Sequence, residues 1–332
     1  MISAQLQERI RDLKNLTQTA KKILIVSHSK PDGDAVGASL AMKLALQAGG
    51  QSVEVAFLDA PPERLSFLPH FFSIKGEFSP QDFDLVFLID CGDWSRTGFF
   101  ADTELNIDWP PNLAVIDHHK IQKLTPGVHI VDATASSASE LVFYILTAWG
   151  REITKDIATC LLVGISTDTG SFQHTNTSRA VLQVAGELME KGASLGKITR
   201  YVYADKSIAR LKLWGRVLQK MRRNRRWNVL IAMITAADLE ECQATDADLE
   251  GVVDLMRTVP HVKAVLLGSE RGAEFKFNLR TEALDVDVSR LAALFGGGGH
   301  VKASGFSMPT SDVVISVAPS VIPAQAGIQT EK

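Results

Sequence analysis

The sequence is poor in cysteine and has no long apolar run. Its three cysteines, Cys91, Cys160 and Cys242, are an odd number without paired spacing, which argues against a disulfide framework and a cysteine-type zinc site. The longest apolar runs, such as LVFLI before Asp90, fall far short of the roughly 20 residues that span a bilayer. The N-terminal segment is typical of an amphipathic helix and lacks the apolar core of a secretory signal. We therefore expect a cytoplasmic protein that does not enter a membrane.

An excess of positive charge is also missing, because 35 lysines and arginines stand against 38 aspartates and glutamates, for a formal net charge of −3. Proteins that bind long nucleic acids usually have a basic surface. The one local exception is a cluster of Arg222, Arg223, Arg225 and Arg226, which we interpret as a solvated helix end and turn before a strand. The charge balance favours small phosphorylated substrates over long nucleic acids.

The chain is long enough for two domains, since it has 332 residues of which 45% are hydrophobic. In its first half, short apolar runs rich in valine and isoleucine alternate with helical stretches. These runs are KILIVSH, SVEVAFL, DLVFLID, NLAVIDHH and HIVDA, and each is typical of a buried strand. The alternation predicts an α/β fold with a mostly parallel five-stranded sheet and flanking helices.

A second, smaller α/β domain is predicted after a helical stretch. Its strands are expected in WNVLIAMI, AVLLGSE and EFKFNLR, and its helices in DADLEGVVDLMRTV and VDVSRLAALF. The predicted organisation is a first domain over 1–190, a helical linker over 191–225, a second domain over 226–310 and an atypical tail over 311–332. The tail has no amphipathic period that would extend the second domain.

Acidic and histidine side chains follow the predicted strands at the points where the strands end. They are His28, Asp32 and Asp34 after the first strand, Asp90 after the third, Asp117, His118 and His119 after the fourth, and Asp168 near the end of an apolar helical segment. Because ligands gather beyond the carboxyl ends of parallel strands, we expect these side chains to converge.

These residue types fit the hydrolysis of a phosphate ester. The reaction needs a hydroxide and a neutralised phosphoryl group, and two divalent metals roughly 3.5–4 Å apart supply both. A mixed set of carboxylates and imidazoles suits Mn²⁺ better than Mg²⁺, which prefers oxygen ligands and water. One carboxylate must then bridge the two ions, and Asp90 is the candidate.

Each acidic motif also has an ordinary structural explanation. Asp32 or Asp34 could cap the following helix, and Asp90 and Asp168 could lie in simple turns. Two adjacent histidines after a carboxylate at a strand end are harder to explain by packing. Taken together, the motifs favour a metal site.

The acidic and histidine motifs resemble those of the DHH phosphoesterase superfamily. Four motifs occur in order, beginning with His28-Ser-Lys-Pro-Asp32-Gly-Asp34 and followed by Asp90, Asp117-His118-His119 and Ser166-Thr-Asp168-Thr-Gly-Ser-Phe. The segment FGGGGHVKASGF resembles the glycine-rich signature of the DHH-associated C-terminal domain. The resemblance covers roughly residues 8–310 and is closest to the bacterial nanoRNase and pAp phosphatase group. Family domains usually continue past this signature with a further strand and helix, and here the sequence departs from them after about Met308.

The resemblance implies a role for each motif. His28, Asp32 and Asp90 would hold one metal, and Asp34, Asp90, His118 and Asp168 the other. His119 would contact the scissile phosphate or help to protonate the leaving oxygen, while Asp117 would orient a ligand histidine. Metals in the first domain would activate water, and the second domain would bind the phosphate or base of a short substrate across a cleft.

The glycine run is the candidate substrate-binding segment of the second domain. Backbone N–H groups of Gly297, Gly298 and Gly299 can approach an anion closely, and His300 adds a donor beside them. Arg280, at the end of EFKFNLR, could form a bidentate contact with a phosphate.

Several activities remain open at this stage. The preferred hypothesis is a Mn²⁺-dependent phosphoesterase that acts on short RNA and 3′-phosphoadenosine 5′-phosphate. The alternatives are a linear or cyclic dinucleotide phosphodiesterase and a catalytically silent nucleotide sensor. A manganese-dependent pyrophosphatase is disfavoured by the glycine run, and a RecJ-type exonuclease would be larger. The sequence leaves the oligomeric state open, with a homodimer as one candidate.

Overall fold

The computed structural model describes residues 4–99, 112–119, 127–204, 206–299 and 301–313. The chain divides into two compact units, Met1–Asp205 and Lys206–Lys332. This division lies inside the stretch predicted as a helical linker. None of the described helices is both long enough and apolar enough to cross a membrane.

The first unit is built on five parallel strands. They are β1 (Lys22–Val26), β2 (Ser52–Ala56), β3 (Leu85–Ile89), β4 (Leu113–Asp117) and β5 (Val128–Val131), in the order β2-β1-β3-β4-β5. All residues of β3 and β4 are buried, because a parallel sheet is covered on both faces. The predicted sheet is confirmed.

Helices flank this sheet. They are α1 (Ala4–Thr19), α2 (Gly33–Ala48), α3 (Ala138–Ala148), α4 (Lys155–Asp168), α5 (Arg179–Glu190) and α6 (Leu195–Thr199), followed by a π-helical turn over Arg200–Ala204. Short 3₁₀ turns lie at Glu63–Leu65, Phe71–Ser73, Pro80–Asp82 and Trp94–Thr97.

Two glycines allow α2 and α4 to pack closely. A Cβ atom on Gly37 would lie 2.4 Å from the carbonyl oxygen of Cys160, and one on Gly164 would lie 2.5 Å from Oδ1 of Asp34. Any larger side chain would therefore separate the two helices. Their contact brings the start of α2 next to the end of α4.

The second unit contains a mostly antiparallel sheet. Its strands are β6 (Arg222–Asn224), β7 (Val229–Ile234), β8 (Ala264–Arg271), β9 (Glu274–Arg280), β10 (Gly298–Gly299) and β11 (Ala303–Pro309), in the order β10-β11-β9-β8-β7-β6. Among the described strands of this unit, only β7 and β8 pair in parallel. The helices are α7 (Ile208–Lys220), α8 (Ala236–Cys242), α9 (Val252–Met256) and α10 (Val288–Ala293), with 3₁₀ turns at Asp246–Leu249 and Thr310–Asp312.

Two local predictions for this unit are wrong. Arg222 and Arg223 do not end a helix but lie in β6, which pairs antiparallel with β7. The segment DADLEGVVDLMRTV is not one helix, because Gly251 has a φ of +86° and separates a 3₁₀ turn from α9. A positive φ is readily available to glycine and interrupts the helical backbone.

Candidate metal centre

The carboxyl edge of the first sheet carries the predicted motifs. His28 follows β1, Asp90 follows β3, and the Asp117–His119 motif closes β4. Because the strands are parallel, these ends lie at one edge. The start of α2 brings Asp32 and Asp34 to the same place, and the end of α4 brings Asp168.

His28, Asp32 and Asp90 form one group of potential metal ligands. Their ligand atoms lie within 4.8 Å of one another, and Nε2 of His28 is 3.4 Å from Oδ2 of Asp90. Nδ1 of His28 lies 2.8 Å from the carbonyl oxygen of Ser29. A carbonyl can only accept, so Nδ1 carries a proton and, in the neutral ring, Nε2 is free to bind a cation.

Asp34, His118 and Asp168 form a second group with the same spacing. Nε2 of His118 lies 3.1 Å from Oδ2 of Asp168 and 4.0 Å from Oδ2 of Asp34. It also lies 3.5 Å from Oδ1 of Asp90. Asp90 therefore presents one oxygen to each group, which is the arrangement a bridging carboxylate requires.

The backbone and burial of Asp90 fit a cation. Its φ of +55° is rare outside glycine, and such strain clusters at functional sites. Oδ1 of Asp90 and Nε2 of His118 are buried, and neither makes a hydrogen bond with a described residue although they are only 3.5 Å apart. Buried polar atoms without partners are rare in proteins. A divalent cation would satisfy both, and the donor set fits one.

The pKa shifts within the cluster also indicate a cation site. Burial and then the charges of Asp90 and Asp168 raise the pKa of both Asp32 and Asp34. Burial tends to lower the pKa of the histidines, but the adjacent carboxylates outweigh it and raise the pKa of His28 to about 9 and of His118 to about 11. Carboxylates that raise the pKa of a histidine in this way also favour a divalent cation at the same position.

Asp32 and Asp34 are held by backbone groups as well. Oδ1 of Asp32 accepts from the N–H groups of Asp34 and Ala35 and caps α2. The carboxylate of Asp34 accepts from the N–H groups of Ala138 at 2.6 Å and Ser139 at 2.9 Å, at the start of α3. The helix-cap explanation of Asp32 is therefore correct, and it leaves Oδ2 for a cation.

His119 and Asp117 form a third group of potential ligands with Asp90 and His118, and Asp117 contacts His119 directly. Its Oδ1 accepts from the backbone N–H of His119 at 3.0 Å and lies 2.8 Å from Nδ1 of the same ring. Asp117 is buried, whereas the His119 side chain is 35% exposed. The contact fixes the ring and directs Nε2 of His119 away from Asp117, and the exposure leaves the ring open to a substrate.

A left-handed turn follows Asp168, and Gly170 is the sequence signal for it. Gly170, Ser171 and Phe172 have φ values of +55°, +57° and +65°, a conformation that costs roughly 1–2 kcal/mol for each residue other than glycine. The N–H of Ser171 bonds to the carbonyl oxygen of Ser166 at 2.7 Å. The hydroxyl of Tyr203 donates to that same oxygen at 2.7 Å. This hydrogen bond from Tyr203 holds the end of α4 in position, and Asp168 lies at that end.

The predicted substrate-binding residues lie in the second unit. Arg280 is half-buried at the end of β9, and Gly298 and Gly299 form β10. The N–H of Gly297 bonds to the carbonyl oxygen of Ala292, so that group is already occupied. His300 lies outside the described residues. The contribution of these residues to binding stays a prediction.

The fold and site define a metal-dependent hydrolase built on a parallel sheet. Residues 22–165 match the family model described as DHH family, N-terminal domain. The chain is 32% identical, over 88% of its length and 85% of the relative, to the bifunctional oligoribonuclease and PAP phosphatase NrnA of Thermus thermophilus. The chain belongs to the DHH family, and the expected phosphoesterase class is confirmed.

Two further similarities are informative. The crystal structure of an exopolyphosphatase-related protein from Bacteroides fragilis superposes with a TM-score of 0.84 and 30% identity, covering 90% of this chain and 91% of that one. A probable manganese-dependent inorganic pyrophosphatase of Streptococcus agalactiae is 27% identical over 51% of this chain and 55% of its own. The first similarity extends through both units, whereas the second covers only about half of the chain.

Proposed function

We propose that this protein hydrolyses short oligoribonucleotides and 3′-phosphoadenosine 5′-phosphate with two divalent metal ions. The observation that carries the proposal is Asp90, whose two oxygens face the two groups of potential ligands separately. The similarity to a bifunctional oligoribonuclease and PAP phosphatase supports the choice of substrate.

Each group of side chains has a defined task in this reaction. When bound, the metals would supply an activated water and neutralise charge on the phosphoryl oxygens. His28, Asp32 and Asp90 would hold one ion, and Asp34, Asp90, His118 and Asp168 the other. His119, which is partly exposed and fixed by Asp117, would contact the scissile phosphate or protonate the leaving oxygen. Arg280 and the glycine run would contact a phosphate or base of the substrate.

Manganese is the metal we propose. The two groups combine four aspartates with two histidines, and Mn²⁺ accepts such mixed ligands more readily than Mg²⁺ does. The partial match to a probable manganese-dependent enzyme supports the same choice. A cytoplasmic location and a homodimer remain predictions from the sequence.

Turnover of a substrate panel tests the proposal. The panel contains 3′-phosphoadenosine 5′-phosphate, RNA of two to ten nucleotides, a cyclic dinucleotide and pyrophosphate, each with Mn²⁺, Mg²⁺ or chelator. We expect Mn²⁺-dependent release of product from the bisphosphate and from the shortest RNA. Asp90→Asn and His118→Ala should lose activity by at least about 100-fold, whereas Glu152→Gln, which changes an exposed carboxylate, should not.

Other outcomes would replace the proposal. Preferred cleavage of the cyclic dinucleotide would make the protein a dinucleotide phosphodiesterase. Tight binding of these nucleotides in Mn²⁺ without any product would make it a sensor. Full activity in both site variants would refute the two-metal assignment.

A further inference from the structure

A cavity of about 380 Å³ lies in the first unit, where the helices α1, α2 and α3 end. Lys14, Gln51 and Arg151 line it, and none of its lining residues carries a carboxylate. A cavity of this volume falls within the range of small-molecule sites. Its polar lining and the absence of acidic side chains favour an anionic ligand.

The cavity lies away from the metal centre. The helix α2 carries Asp34 in its first turn and ends at Ala48, directly before Gly49, which lines the cavity. A helix of 16 residues is about 24 Å long. The metal centre and the cavity therefore lie at opposite ends of α2, and a small ligand in the cavity would not contact the metal ligands.

Two cationic side chains line the cavity without a neutralising partner. Nζ of Lys14 donates to the carbonyl oxygen of Trp149 at 3.2 Å, which leaves two of its three N–H groups. The half-buried guanidinium of Arg151 makes no hydrogen bond with a described residue. Neither cation has a carboxylate of a described residue within 4.0 Å. Because the helix ends contribute only partial negative charge, the cavity keeps a net positive charge.

Glycine at position 49 makes room for the guanidinium of Arg151. The φ of Gly49 is −84°, a value that any residue adopts, so the backbone does not require glycine here. A Cβ atom at this position would lie 2.7 Å and 2.8 Å from the two terminal nitrogens of Arg151. The guanidinium therefore packs against the backbone of Gly49, which holds it at the wall of the cavity.

Gln51 adds a buried acceptor to the same wall. Its Nε2 donates to the carbonyl oxygen of Thr17 at 2.7 Å, and a carbonyl can only accept, so the orientation of the carboxamide is fixed. Oε1 of Gln51 is buried and makes no hydrogen bond with a described residue. Buried polar atoms without partners are rare in proteins. A ligand that carries a donor group would satisfy this oxygen.

We infer that this cavity binds a phosphate dianion that also carries a hydroxyl group, either hydrogen phosphate or a hydroxylated phosphate monoester. Arg151 and Lys14 would contact its charged oxygens, since both side chains commonly bind phosphate. The hydroxyl group would donate to Oε1 of Gln51. Sulfate has the same charge and shape but no hydroxyl group, so it would leave Gln51 unpaired. The inference goes beyond the proposed function, because this site lies outside the metal centre and needs no metal.

Calorimetric binding of inorganic phosphate and sulfate to the metal-free, full-length protein tests this site. A mildly alkaline buffer with chelator makes both anions divalent and excludes binding to Mn²⁺. Wild type should bind phosphate about tenfold more tightly than sulfate. Gln51→Met should remove this preference, and Arg151→Ala should weaken both anions by at least about tenfold. Gly49→Ala should also weaken both, because the added Cβ displaces the guanidinium. Arg179→Ala removes an exposed arginine outside the cavity and is the matched control, which should change neither anion.

Ribose 5-phosphate, a hydroxylated monoester, distinguishes the two sources of the phosphate group. Tighter binding than inorganic phosphate assigns the site to monoesters, and weaker binding assigns it to free phosphate. Equal binding of phosphate and sulfate to wild type, or an unchanged phosphate affinity in both Arg151→Ala and Gly49→Ala, would overturn the inference. Thermal unfolding of each variant separates lost binding from lost folding. Because these measurements use metal-free protein and no turnover, their failure leaves the proposed function untouched.

Discussion

Single carboxylates in this site serve the fold and the chemistry at once. Asp32 caps α2 through Oδ1, and the same side chain belongs to a group that could hold a metal. Asp90 adopts a left-handed backbone conformation at the end of β3, and its two oxygens face different histidines. Asp32 lies among like charges, and Asp90 has an unfavourable backbone conformation. Both features are expected where a bound cation compensates for their energetic cost.

Asp32→Asn should separate the two tasks of this residue. Asparagine caps a helix as well as aspartate does, so α2 should keep its N-terminal hydrogen bonds. Asp32 is exposed as a residue, but desolvation of its carboxylate within the acidic cluster and the charges of Asp90 and Asp168 raise its pKa above the ordinary value. A carboxylate whose pKa is raised by folding destabilises the fold at neutral pH, where it is ionised. The metal-free variant should therefore be more stable than wild type, while its affinity for Mn²⁺ falls by at least about 100-fold.

Thermal unfolding in chelator and in Mn²⁺ checks this prediction. Wild type should gain stability when Mn²⁺ replaces chelator, and the variant should gain little. Glu152→Gln removes an exposed carboxylate and should behave as wild type does. A variant that melts below wild type in chelator would show that Asp32 stabilises the metal-free fold.

At the scale of elements, the end of α4 depends on an interaction far away in sequence. Tyr203 lies in the π-helical turn Arg200–Ala204, and its hydroxyl bonds to the carbonyl oxygen of Ser166. The left-handed turn over residues 170–172 is held by the same oxygen through Ser171. One carbonyl at the end of α4 therefore joins two strained or irregular segments beside Asp168.

Tyr203→Phe removes only this hydroxyl and should loosen the position of Asp168. Outer contacts of this kind typically change metal affinity by roughly 10- to 100-fold when lost. We expect the Mn²⁺ concentration for half-maximal activity to rise by about tenfold, with KM for the substrate unchanged and kcat restored at saturating Mn²⁺. Tyr201→Phe removes a neighbouring hydroxyl that makes no hydrogen bond with a described residue and is the matched control. A fall in kcat that excess Mn²⁺ does not restore would contradict this positioning role.

The sequence predicted the elements better than it predicted their connections. Strands such as β3 and β4 were predictable because they are short, apolar and end in reactive residues. The hydrogen bond from Tyr203 could not be predicted, because its partner lies 37 residues away and no local sequence pattern indicates that contact. The strand β6 was missed because RRN is exposed throughout and has no apolar alternation. The pairing of β10, β11 and β9 depends on a strand register that only the folded sheet defines.

At the scale of the whole molecule, each unit has apolar cores of its own. Two clusters lie around the parallel sheet of the first unit, and two others around the sheet of the second. The potential metal ligands all belong to the first unit. A ligand stabilises only the cooperative unit that binds it. The two units therefore provide an internal comparison for metal binding.

Calorimetric unfolding of the intact chain should show two transitions, of which only one responds to metal. Mn²⁺ at 100 times its dissociation constant should stabilise the first unit by about 2.7 kcal/mol for each ion bound, relative to chelator. The second unit contains no group of potential metal ligands among its described residues, so its transition should not move with Mn²⁺. A single transition that shifts as a whole with Mn²⁺ would mean that the units unfold together. Mn²⁺ would then stabilise the entire chain, because the two units would share one folding equilibrium.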